Sequence, residues 1–219
     1  FYDTQYSAVC EMEELFGELQ GVAFQDSLEE LWTSMQELSK EPGNLTARAT
    51  MVETAISFIE RAENISDLLK TYQSDLDTEI GGMVERINQI GDEMIELNNK
   101  ICFYESDGNQ RANDLRDTRN LLLDELAEMV NITYRESLGS RVSISVEGIP
   151  FVTEDTCFKM STVRSNELKA IQLKASGITP TEEDLTNTGL DVLVPVWPAY
   201  GYTEVCDLNV LSSSDKNND

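Results

Sequence analysis

Histidine is absent from all 219 residues. That removes the usual general base near neutral pH and the commonest zinc ligand, and with them most nucleophile–histidine mechanisms and most zinc sites. Basic residues are scarce: 16 Lys and Arg stand against 41 Asp and Glu, for a net charge of −25. Phosphate is repelled by such a chain, which argues against nucleic acid and against anionic membrane surfaces as partners. No run of about 18 apolar residues occurs, so no segment reads as a membrane-spanning helix. Cysteine is confined to Cys10, Cys102, Cys157 and Cys206, with no CxxC pair. A disulfide scaffold would be denser; these four read mainly as unpaired packing residues, with a Cys157–Cys206 bridge left open. There is no D-x-[DN]-x-[DN]-G calcium loop, and "ESDGN" reads as a turn. The start, "FYDTQYSAVCEMEELF", has neither the basic nor the apolar region of a cleavable signal peptide. It reads as the middle of a helix, so the chain is expected to be a fragment.

What is present is helical patterning. Tyr2, Tyr6, Val9, Met12, Phe16, Leu19 and Ala23 fall at steps of three and four, one stripe of a helix. Ser27 and Glu30 have capping-box spacing, and Leu28, Leu31, Trp32, Met35 and Leu38 form the expected buried stripe of a second helix, stopped by "EPGN". Asn44 is the next expected N-cap. From Leu45 to about Tyr104 there is no proline, and a stripe runs from Val52 and Ile59 through Leu76, Ile87, Ile90, Met94, Leu97 and Ile101 to Tyr104. Steps of three and four over that length are a coiled-coil pattern. A helix of about 60 residues would be roughly 90 Å long, so the molecule is expected to be elongated. Gly81 and Gly82 interrupt the pattern, and a kink or break is expected there.

The stretch "NQRANDLRDTRNLLLDELAEMVNI" opens a third helix, with Leu115, Leu122, Leu126 and Met129 inward. Asn113 or Asp114 can cap it, and Asp117 suits the first turn of the helix dipole. No catalytic account of these acids is required, although a carboxylate pair for glycoside hydrolysis is the alternative reading. Arg119 differs. Its neighbours three and four residues away are Leu115, Arg116, Leu122 and Leu123, none acidic, so it is expected to reach off its own helix and pin that helix to the long one. After Asn131 the period changes to two. "ITYRE", "RVSISVEG" and "IPFVTEDTCFKM" read as strands with Gly139 and Gly148 in the turns. Thr181 and Asp184 could start a short helix. "LDVLVPVWPAYGYTEVCDLNV" is β-like, with Pro195 and Pro198 pointing to an edge. Trp197, Pro198, Tyr200 and Tyr202 read as a satellite core or a ligand-holding surface. The fold class is α+β: an elongated long-helix coiled-coil bundle over 1–131, then a smaller antiparallel β-rich domain over 132–219, whose first hairpin, 132–160, can pack on the helices.

Taken together, three stretches resemble one family. Asn113, Asp114, Leu115, Asp117, Arg119, Leu122, Glu125 and Leu126 follow the Asn-Asp-Leu, Asp-x-Arg, leucine and Glu-Leu pattern of the flagellar hook-associated protein 1 family. Upstream, Trp32, Leu38, Ser39, Pro42 and Arg48 match its short helix and the start of the next. Ile87, Asn88, Ile90, Leu97, Asn98 and Ile101 match its repeated Ile-Asn and Leu-Asn pattern. The resemblance covers about residues 1–160 well and the rest weakly. Asp77 stands where the family tends to have Asn. The family's two terminal regions, which carry the export signal and pair as helices, are not in this sequence.

The resemblance implies a structural subunit of the bacterial flagellum at the junction of hook and filament. Implied partners are hook protein, the second junction protein and copies of itself in a ring; neither nucleic acid nor membrane is implied. It implies no enzyme, no cofactor and no metal, and an extracellular place reached by flagellar export without a cleavable signal. The charge is a puzzle, since acidic subunits in a ring repel. The rival readings are a secreted bacterial adhesin or ligand-binding module that uses the β-rich part, and an enzyme of glycosidase or peptidase type.

Overall fold

A computed structural model of the chain describes residues 6, 10, 24–106, 112–137, 139–181 and 191–201. The expected helix over 1–24, apart from Tyr6 and Cys10, lies outside the described residues, as do Asp184, Tyr202 and Cys206. Helix α1 spans Phe24–Lys40, α2 Leu45–Glu105 and α3 Asn113–Met129. Strands β1 (Ile132–Glu136), β2 (Val142–Val146) and β3 (Ile149–Val152) form an antiparallel sheet in that order. Strand β4 (Ser161–Arg164) leads directly into helix α4 (Ser165–Ala175) and pairs antiparallel with β5 (Leu193–Val196). The fold is α+β, a long helix followed by small antiparallel sheets.

Contacts divide the chain into two compact units, Phe1–Asp75 and Leu76–Asp219. The division falls inside α2, not near residue 131. The physical reason is the core of the second unit. There α2 supplies Ile87, Ile90 and Met94, α3 supplies Leu122 and Leu126, and the sheet supplies Val142, Ile144 and Phe151 to one continuous cluster. A change of secondary structure at residue 131 is therefore not a change of core.

In the first unit α1 and α2 pair as an antiparallel hairpin. Phe24 meets Phe58 with ring centroids 5.2 Å apart, and Ser34 Oγ lies 2.8 Å from Thr54 Oγ1. The hairpin turn is fixed by Asn44, whose Oδ1 accepts from the N–H of Thr46 at 2.9 Å and of Ala47 at 3.3 Å, the expected N-cap. Arg48 Nε donates to the Pro42 carbonyl at 2.8 Å and closes the same turn.

The buried face of α1 is only partly the expected one: Leu31 and Leu38 are half-buried. Ser27 and Ser34 are buried, while Leu28, Met35 and Trp32 are exposed, Trp32 to 62%. Ser27 is no cap: α1 starts at Phe24, and the Ser27 hydroxyl donates back to the Phe24 carbonyl at 2.8 Å. Ser34 meets α2 through Thr54, while Leu28, Trp32 and Met35 lie on faces open to solvent. On α2, Val52, Ile59 and Tyr104 are likewise exposed rather than buried.

Helix α2 is unbroken through Gly81 and Gly82, so there is no break of the helix at the pair. Intrahelical bonds on both sides and the packing of Ile80, Met83 and Val84 on the core keep it continuous. Gly91 has a different role. A Cβ there would lie 2.5 Å from Cys157 Sγ and 2.7 Å from Phe151 Cζ, so the bare backbone is what lets the sheet side approach the helix. Helix α3 has Ala112, not Asn113 or Asp114, as its N-cap, with no side-chain cap. The Ala112 N–H is satisfied from another helix, by Glu105 Oε1 at 3.1 Å.

Strand β2 alternates buried and half-buried along its length, as a half-covered strand should. The β2–β3 hairpin turns at Glu147 and Gly148, with φ of 51° and 86°, the left-handed pair that a tight hairpin demands. Trp197 is fully buried in the main core against Phe151, centroids 5.7 Å apart, so it is neither a satellite core nor a ligand platform. The satellite core is a separate group, Val163, Leu168 and Val196, under β4, β5 and α4. Cys157 is a free thiol, and burial pushes its pKa up to about 11.

Gly91→Ala is expected to destabilise the chain by about 1–3 kcal/mol through overpacking, even though alanine favours helix. Urea unfolding of the variant checks this; an unchanged or raised midpoint would show that Cys157 and Phe151 can yield.

Candidate functional site

Three side chains of α2 tie it to the β segments of the second unit, each following an apolar stripe residue: Asp77 after Leu76, Asn88 after Ile87, Asn98 after Leu97. Asn98 is fully buried. Its Nδ2 donates to the Val142 carbonyl at 2.8 Å and its Oδ1 accepts from the Val142 N–H at 2.9 Å. Strand β3 pairs with β2 only at Ile144–Val146, so the amide stands where a strand neighbour of Val142 would be. Asn88 does the same for Met160, donating to its carbonyl at 2.9 Å and accepting from its N–H at 2.8 Å. Asp77 accepts from the Leu193 N–H at 2.9 Å and from the Arg164 guanidinium. A carboxylate cannot donate, so Asp77 gives no bond to a backbone carbonyl; Arg164 Nη1, which donates to Asp77, donates to the Asp191 carbonyl at 2.8 Å instead.

Around the end of α2 lies an ion-pair network. Arg119 is buried, 3% exposed, and leaves its own helix. Its Nη1 donates to the Ser140 carbonyl at 2.6 Å and to Asn98 Oδ1 at 3.3 Å, and its Nη2 to Glu136 Oε1 at 3.1 Å. Its Nε has no partner among the described residues. Arg116 makes a two-pronged bridge to Glu105 at 2.8 and 2.7 Å, with Glu136 on its remaining side at 2.8 Å. Arg116, the Ser140 hydroxyl and the Ala112 N–H hold the Glu105 carboxyl well below the usual range. At Glu136, burial works to raise the pKa, but the hydrogen bonds from Arg119 and Arg116 outweigh it and the net shift is downward. Arg86 closes the other end of the α2–α3 contact, on Glu125 at 2.6 and 2.7 Å.

Of the sequence-named residues, Asn98 and Arg119 meet directly, and Leu97, Leu122 and Leu126 are buried close to them in the chain. Leu115 is half-buried, while Asn113, Asp114 and Asp117 are exposed. Trp32, Pro42 and Arg48 belong to the first unit. Glu105, Glu136 and Ser140 are the partners that sequence reasoning missed. Their only signal was the lack of acids near Arg119 on its own helix.

The first unit presents a different kind of surface. Leu28, Trp32 and Met35 on α1 and Val52, Ile56 and Ile59 on α2 are exposed at steps of four and three. Exposed apolar rows at helical spacing suit protein contact. A second, open groove between α1 and α2 carries Asp26, Glu29, Glu30 and Glu37 with Thr33 and Thr50. Among the described residues no group of three His, Cys, Asp or Glu is placed to hold a metal ion, and no helix is long and apolar enough to cross a membrane.

In the second unit these amide, carboxylate and guanidinium groups hold helices and strands together. Residues 9–191 match the family described as flagellar hook-associated protein FlgK helical domain, and the chain belongs to that family. It is 32% identical over 150 residues to flagellar hook-associated protein 1 of Bacillus subtilis, covering 68% of this chain and 29% of the relative. It is 23% identical over 193 residues to flagellar hook-associated protein 1 of Salmonella typhimurium, covering 85% of this chain and 35% of the relative. The flagellar hook junction protein FlgK of Burkholderia pseudomallei shares the fold, with a TM-score of 0.66 at 19% identity over 75% of this chain and 29% of that one. The chain thus spans about a third of the length of these relatives.

Arg119→Ala is expected to cost about 2–3 kcal/mol, because it strips a buried cation from Ser140, Asn98 and Glu136. Arg111→Ala serves as the comparison, and thermal melts showing equal, negligible shifts for both would rule out the pinning role. A second expectation concerns acid. The Glu105 pKa is lower in the folded chain than in the unfolded one. Its stabilising contribution is therefore complete above the unfolded carboxylate value of about 4.3 and fades as pH falls towards the folded value. Glu105→Gln should flatten the fall in melting temperature between about pH 5 and pH 3. A variant that falls as steeply as the parent would place the acid sensitivity elsewhere.

Proposed function

We propose that this chain is part of a structural subunit of the bacterial flagellum that sits at the junction between hook and filament. The match of residues 9–191 to the FlgK helical domain family carries this reading. Partners on this reading are hook protein on one side, the second junction protein on the other, and copies of itself around a ring. The subunit is extracellular, reaches its place by flagellar export without a cleavable signal, and does no chemistry: it needs no cofactor.

The geometry supports such a role. A 61-residue helix held to the β segments at Asp77, Asn88 and Asn98 resists sliding of one element past another. The exposed rows around Trp32 and Ile59 supply apolar area for helices outside this chain. The net charge of −25 demands that neighbours offer basic or water-mediated contacts. The adhesin reading gains nothing from the aromatic group at 197–200, because Trp197 is buried.

Immunogold electron microscopy of the source cells, with antibody raised against this chain, is the direct test. Gold in a single spot between hook and filament is expected; gold over the cell envelope or along the whole filament would overturn the reading. Assembly of the full-length protein is expected to depend on ionic strength, since exposed charges are screened within about 10 Å at 0.1 M salt.

A further inference from the structure

Helix α4 does not cap its own start. Its N-cap residue, Arg164, makes no side-chain cap, and the first turn finds its partner 25 residues further along the chain. The Asn166 N–H donates to Asp191 Oδ1 at 3.1 Å, and the Ser165 hydroxyl donates to the same oxygen at 3.1 Å. The Ser165 N–H donates to the Val192 carbonyl at 2.9 Å, and Arg164 Nη1 to the Asp191 carbonyl at 2.8 Å. The other end closes locally. There the Gly177 N–H donates to the Lys174 carbonyl at 3.0 Å and the Ile178 N–H to the Leu173 carbonyl at 2.9 Å. With 11 residues, α4 falls short of the roughly 12–15 at which an isolated helix is even marginal in water. Of its side chains only Leu168 and Ala170 are buried, and the core beneath it is separate from the main one.

We infer that Asp191 is a latch and α4 a conditional helix. The helix stays folded while residues 191–193 lie against its first turn, and it opens as one unit, ahead of the main core, when that contact is lost. The carboxylate of Asp191 satisfies an orphan donor of the first turn and stands at the positive end of the helix dipole. The latch is anchored on α2, since the Leu193 N–H and Arg164 both donate to Asp77. The pairing of β4 with β5, and the burial of Trp197 beside β5, hold the small sheet in place, so the opening is confined to α4. What it uncovers is the apolar side of that sheet, at Val163 and Val194. The inference does not depend on the flagellar reading.

The test is amide hydrogen exchange on the 219-residue chain and its Asp191→Ala and Asp191→Asn variants. In Asp191→Ala, exchange at residues 169–175 should quicken together by about fivefold to thirtyfold, the equivalent of a lost cap. Residues 87–101 of α2 and 142–146 of β2 should not change. Asparagine keeps the accepting oxygen and caps as well as aspartate, so Asp191→Asn should restore most of the protection. Quickening confined to residues 166–168 would mean that only one turn frays, and would overturn the opening of α4 as a unit. Quickening shared by residues 87–101 would mark a general loss of stability and overturn it too. Unchanged exchange in Asp191→Ala, or an asparagine variant as fast as the alanine one, would take the latch away from the Asp191 side chain.

Discussion

The second unit depends on a pairing between unlike partners: the side-chain amide of Asn98 and the backbone of Val142. A buried N–H and C=O must both be satisfied, or each costs roughly 1–3 kcal/mol. Strand β3 ends too soon to serve Val142, and no other strand takes its place on that side. One amide supplies both missing bonds at 2.8 and 2.9 Å. Because an amide has a donor end and an acceptor end, it matches the backbone in only one orientation. It thereby fixes the register of β2 against α2 as well as its distance. Asn98 Oδ1 also receives Arg119, so the same atom joins α2, α3 and β2. Around that point the apolar core of Ile87, Ile90, Met94 and Phe151 supplies area, which by itself would allow sliding.

The first unit is built on the opposite plan. Across its α1–α2 seam Ser34 meets Thr54 and Phe24 packs on Phe58, while Ser27 is buried and bonds its own helix. Hydroxyls that donate to their own helix are satisfied without a partner helix, as Ser27 is on Phe24. The cost of burying these hydroxyls is thus small, while Leu28, Trp32 and Met35 remain exposed. Among the described residues of the first unit, Phe24 and Phe58 pack on each other while Leu28, Trp32 and Met35 stay exposed.

Much of this was legible in the sequence, for reasons that differ from residue to residue. The extent of α2 followed from a long proline-free run, and its start from Asn44. The outward reach of Arg119 followed from the absence of acids at helical spacing around it. The strands after Asn131 followed from the change of period. The buried face of α1 was only partly legible, because periodicity ranks positions by apolarity, and here Ser27 and Ser34 share it. The roles of Asn88 and Asn98 could not be read from periodicity either. They sit one position off the stripe, and their partners, Met160 and Val142, contribute backbone, which no side-chain pattern reveals. The division of the chain near Asp75 was hidden for a related reason: it falls within one unbroken helix.

The arginines have a consequence beyond cohesion. Arg86, Arg116, Arg119, Arg141 and Arg164 each lie against a carboxylate from a different segment. Arg119 is buried and Arg116 and Arg141 largely so, which leaves little of their positive field to an approaching molecule, while Arg86 and Arg164 stay partly exposed. What such a molecule meets is a predominantly negative chain, with 16 cations against 41 anions. Encounter rates follow that outer field. A basic surface is drawn in quickly, and a second copy of the same chain is held off.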